Sequence, residues 1–128
     1  MKRVVIVLAS LFVSISAFAH HSGAMFDRAK TVKLEGTVKE FLFTNPHTWL
    51  RLDVMDKDGN VEVWDIEASA PVRMVKWGLS PQTIHTGDKV TVNMHPMIDG
   101  RKAGAFVDII LADGKFITTN ADVNSYAK

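Results

Sequence analysis

The chain has 128 residues, with 15 lysines and arginines against 14 aspartates and glutamates, and no cysteine. That length suits one domain, and the missing cysteine excludes disulfides, thiolate metal sites and attachment to lipid through cysteine. A near-neutral balance supplies no phosphate-neutralising surface, so nucleic acid is not an expected partner.

Lys2 and Arg3 open the chain, residues 4–18 carry no charge, and Ala17-Phe18-Ala19 offers small residues where a signal peptidase reads. This tripartite pattern, with an apolar run short for a membrane span, predicts a secretory signal over residues 1–19. Removing 19 of the 128 residues leaves 109, and the loss of Lys2 and Arg3 turns the formal charge from +1 to −1. The expected product is periplasmic or secreted, has no polybasic membrane patch, and starts at His20-His21. Residues 20–117 form the expected domain with its N-terminal arm, and residues 118–128 read as a polar tail.

Residues 22–30 have no clean period and read as an ordered arm or loop. "TVKLEGTVKEFLFT" (31–44) alternates, with Val32, Leu34, Gly36 and Val38 on one face; the mid-strand Gly36 predicts a bulge or bend. Asn45-Pro46 marks a turn. "HTWLRLDVM" (47–55) places Thr48, Leu50, Leu52 and Val54 on one face, with His47, Trp49, Arg51 and Asp53 on the other. A glycine-containing hairpin at 56–60 leads to "VEVWDIEA". There the pattern is ambiguous, because Val61 and Val63 oppose Trp64 and Ile66. Ser69 as cap, Pro71 in the first turn and Gly78 at the end predict one short helix, with "SPQTI" as a further turn. "TGDKVTVNM" and "AGAFVDIILA" complete the strands. The fold expected is mainly β, a small five-stranded OB-like barrel with one short helix between strands three and four. In such barrels the face of strands two and three and its flanking loops form the usual binding site.

That arrangement brings His47, from the loop after strand one, towards His95, at the start of the loop after strand four. Neutral imidazole suits copper, zinc and nickel. A terminal His20 adds its α-amine, so amine and ring chelate one ion together, and a further imidazole completes a nitrogen-only set suited to Cu(II). The eleven residues from His20 to Lys30 span at most about 36 Å, which permits the reach. The metal candidates are His20 and His47, assisted by His21 or His95. Plainer readings stand beside each: a double histidine tolerated after a cleavage site, His47 capping a turn, and His95 on the surface. Trp49 and Arg51 on an outward face suggest instead a metal-free binding surface. Asp65 and Glu67, on one face of strand three, form a possible carboxylate pair.

"HHSGAMFD", "GTVKEFLFTNPHTWL", "GLSPQTIHTGDKVTV" and the spaced "W.IE" and "P.IDG" together resemble the bacterial domain of unknown function 6152 family. The resemblance spans residues 19 to about 113, and members are small exported proteins with no assigned activity. It implies that His20, His21 and His47 belong to the family pattern with Trp64 and Glu67, and that His95 does not. The glycine after Trp77 departs from the pattern, in which a glycine more often precedes the tryptophan; the difference concerns a helix end.

Catalysis finds no support in the sequence: no nucleophile triad, no phosphate loop and no zinc helix motif are present. The function expected is copper carriage or buffering by an exported protein, with a periplasmic protein as a further partner. The alternative is a metal-free module holding an oligosaccharide, a peptide or a partner protein through Trp49 and Arg51.

Overall fold

The computed structural model describes residues 22–119. The signal segment and the pair His20-His21 lie outside the described residues, as does the tail from residue 120. In chain order the elements are a 3-10 turn (Ser22–Met25), β1 (Val32–Leu42), β2 (Trp49–Met55), β3 (Val61–Glu67), α1 (Pro71–Lys76), β4 (Lys89–Pro96), β5 (Ala103–Ile110) and β6 (Phe116–Thr118).

Strand β1 is the spine. It pairs antiparallel with β2 along Gly36–Leu42 and with β4 along Val32–Thr37. β3 follows β2 antiparallel, β5 follows β4, and a parallel contact of β3 with β5 closes the ring. The result is the expected five-strand barrel with its short helix between β3 and β4. Alternation explains the core: Leu34, Val38, Leu50, Leu52, Val92 and Met94 point inward and are buried. The ambiguous β3 resolves the same way, with Ile66 fully buried and Val61 and Val63 exposed.

Four local expectations are revised. The β1 bulge falls between Val38 and Glu40 rather than at Gly36. Gly36 is needed for a different reason, since a Cβ there would lie 2.8 Å from the Asp53 carbonyl oxygen on the neighbouring strand. Ser69 does not cap α1; Ala70 holds that position without a side-chain cap bond. Ser69 instead accepts a hydrogen bond from the Thr48 amide through its carbonyl (3.0 Å). "SPQTI" forms hydrogen-bonded turns around Ser80 and Thr83, without helix. Finally, Ile117 and Thr118 are buried in a sixth strand paired with β5, so the polar tail starts after them. Three residues are too few to show a period of two, which hid this strand.

The arm is tied down by backbone. Asp27 donates to the Pro96 carbonyl (2.8 Å), Ile98 donates to that of Met25 (2.9 Å), and Phe26 bridges to Met97. Residues 25–27 are thereby fixed against the end of β4 and the loop that follows it.

Candidate functional site

The site grows from one seam. The Thr48 amide donates to Ser69, and the Ala68 amide donates back to Thr48 (2.8 Å). These bonds staple the loop after β1 to the end of β3. The Thr44 hydroxyl donates to the His47 carbonyl (3.0 Å) and tightens the same loop. His47 is thereby carried onto Glu67, and its Nδ1 contacts the Glu67 carboxylate. The Glu67 side chain is only 15 % exposed against 40 % for His47, so the carboxylate sits beneath the ring.

Register then places the other candidates. Trp49 faces Glu67, Glu67 faces Ala105, and Ala105 faces His95, in one row across β2, β3, β5 and β4. Directly opposite residues share a face, so this row lies on the outside of the barrel. His47 thus leans on the middle of a row that His95 ends. Two strand spacings, about 10 Å of backbone, separate Glu67 from His95. His95 lies within β4 rather than in the following loop. Its Nδ1 is engaged by the Lys30 carbonyl at 2.7 Å, which leaves Nε2 as its free ring atom.

Beside this row runs a cleft of about 430 Å3, walled by the arm, the end of β3, α1 and β5. His47 and Glu67 line it, together with Gly23 and Arg28 from the arm and Arg73 and Trp77 from α1. Among the described residues, no three histidine, aspartate or glutamate side chains gather as a metal-ligand set.

Arg51 is already committed. Its Nε donates to Asp65 (2.8 Å) and its Nη1 to Glu40 (2.7 Å). The hydrogen bond to Asp65, then that residue's charge, with Glu40 adding, raise the guanidinium above its ordinary pKa. The expected carboxylate pair therefore splits, with Asp65 serving Arg51 and Glu67 serving His47. Trp49 is half-buried on the outer row. The Asp56 carboxylate accepts from the amides of Asp58 and Asn60 and closes the β2–β3 hairpin.

Sequence reasoning missed Arg28, Arg73 and Trp77. The spacing of Arg73 and Trp77, four apart on a helix, puts them on one side of α1 and was the available signal. Arg28 sits in an aperiodic arm and gave none.

The closed ring and outer-face cleft define an OB-type barrel. Solved structures agree: two crystal forms of Rim1, a mitochondrial single-stranded DNA-binding protein from S. cerevisiae, match with TM-scores of 0.50 each. Identity is 14 % and 11 %, over 64 % of this chain and 92 % and 91 % of theirs. At that identity the likeness concerns the fold alone. No curated protein matches the sequence. The model of a family of unknown function, DUF6152, matches residues 7–106, and the chain belongs to that family.

Proposed function

We propose that the protein is exported and binds copper(II), in carriage or buffering, through the amine and ring of a terminal His20 and through Nε2 of His47. The observation that carries this reading is the entry of the arm into the His47 cleft. Gly23 lines that cleft, and His20 is three residues upstream. Three residues of chain span at most about 11 Å, a length that lets a processed terminus reach the cleft His47 lines. Glu67 supports the assignment. By engaging Nδ1 it holds the proton there and turns Nε2 outward as the ligating atom, the role outer carboxylates play beside metal-bound histidines. His21 follows the terminal chelate, and Nε2 of His95 is an assisting donor at the end of the row. The alternative module is less well supported, because Arg51 is spent on Asp65 and Glu40.

Calorimetric titration of Cu(II) into protein starting at His20 tests the reading. One-to-one binding is expected, and His47→Ala should weaken it at least about 100-fold, more than loss of an outer partner typically costs. Wild-type affinity in His47→Ala would remove His47 from the site. Glu67→Gln should keep the fold and weaken Cu(II) by about 10- to 100-fold, as expected for a residue acting through the ligand it orients. Long-range proton–nitrogen spectra of metal-free protein provide a second readout. They should show His47 as the Nδ1–H tautomer, with that preference relaxed in Glu67→Gln.

A further inference from the structure

Four arginines lie among the described residues: Arg28, Arg51, Arg73 and Arg101. Arg51 is bound to Asp65 and Glu40, and Arg101 to Asp99 at 2.7 Å. Among the described residues, none forms an ion pair or hydrogen bond with the guanidinium of Arg28 or Arg73, and these two line the same cleft. Among the described residues that line the cleft, Glu67 is the one carboxylate, and it offsets a single guanidinium charge at most. A chain whose formal charge is only +1 thus gathers two guanidiniums against one carboxylate in a concavity of about 430 Å3. Like charges held together repel, and a concave wall of low polarisability sharpens the field they make.

We infer that this cleft binds a small oxyanion-bearing ligand, carboxylate or phosphate, between Arg28 and Arg73. The guanidinium fork matches both groups in two-point hydrogen bonding. The rest of the wall suits the body of such a ligand. Trp77, the residue that caps α1, is half-buried in the wall, Phe26 and Phe106 are apolar and buried, and Ser69 and Thr119 carry hydroxyls. The volume falls in the range of small-molecule sites. The arm supplies one arginine and the helix the other, so the ligand would clamp Ser22–Met25 and the following residues against α1. The inference uses no metal and stands apart from the copper reading.

The test is a titration of metal-free protein in bis-Tris, without anionic buffer, with inorganic phosphate in one arm and succinate in the other. Arginine Nε–Hε signals are followed by NMR and assigned with Arg28→Gln, Arg73→Gln and Arg101→Gln. The expected result is saturable movement of the Arg28 and Arg73 signals with one shared Kd, while the Arg101 signal stays put. Either cleft substitution should weaken binding about tenfold or more, the loss expected for one charge-assisted contact, and Arg101→Gln should leave it unchanged. Whichever probe saturates at lower concentration names the source chemistry. Linear drift of all arginine signals in both arms would overturn the inference. So would equal affinity in Arg28→Gln, Arg73→Gln and wild type.

Discussion

Acetylation of the His20 amine in the processed chain will lower Cu(II) affinity about 1,000-fold, or about 4 kcal/mol. The reason is chemical rather than steric. The acetyl group converts the His20 amine into an amide and brings no new terminal amine, so the terminal chelate is lost. Nothing else in the folded domain changes, because the arm is tied to the barrel at Met25 to Asp27 by backbone bonds well downstream of His20. The loss stays well under the effective molarities reached by well-oriented intramolecular groups, so the figure is modest for a chelate. The free amine's reference pKa of about 7.7–8.0 makes ligation accessible near neutrality. Titration of the acetylated chain beside the chain with a free His20 amine gives the comparison. Equal affinities would show that the terminus plays no part.

Gly104→Ala will destabilise the barrel by about 3 kcal/mol, at the upper end of overpacking costs. Gly104 is buried in β5 and pairs on both sides, with Pro96 of β4 and Ile66 of β3. A Cβ there would lie 2.6 Å from the His95 carbonyl oxygen and would meet the sulfur of Met94, itself fully buried. Neither strand can retreat without opening the parallel contact that closes the ring. For a domain of this size the melting temperature should fall by about 15 °C. Ala105→Ser, one residue on and facing outward, should cost within about 0.5 kcal/mol. Because Ala105 also faces Glu67, any loosening at Gly104 should disturb His47 as well. A Gly104→Ala melting temperature equal to wild type would contradict the packing described.

The barrel could be read from the sequence where strands alternate cleanly. Leu34 and Val38, Leu50 and Leu52, and Val90 to Met94 announce their faces because each strand buries one side only. β3 was ambiguous because Val61 and Val63 face solvent while Ile66 faces the core, so apolar residues occupy both sides. The parallel β3–β5 contact was invisible as such, since it joins segments almost forty residues apart and leaves no local pattern. The candidate site was readable in part. Trp49 lies on the outer face that strand alternation implied, whereas His95, expected in a loop, lies in β4 at the far end of the same row. The hold of Glu67 on His47 was not readable, because it depends on the Thr48, Ala68 and Ser69 backbone bonds that join two distant segments. The commitment of Arg51 was hidden for the same reason. Arg28 and Arg73 reach one cleft only through the fixing of the arm to the end of β4.

Pulsed electron paramagnetic resonance on the one-to-one Cu(II) complex of the chain starting at His20 addresses the central claim most directly. The expected spectrum shows a nitrogen-only equatorial set with imidazole couplings from two histidines, one of which disappears in His47→Ala. Imidazole couplings unchanged by His47→Ala, or copper held through oxygen donors alone, would contradict it.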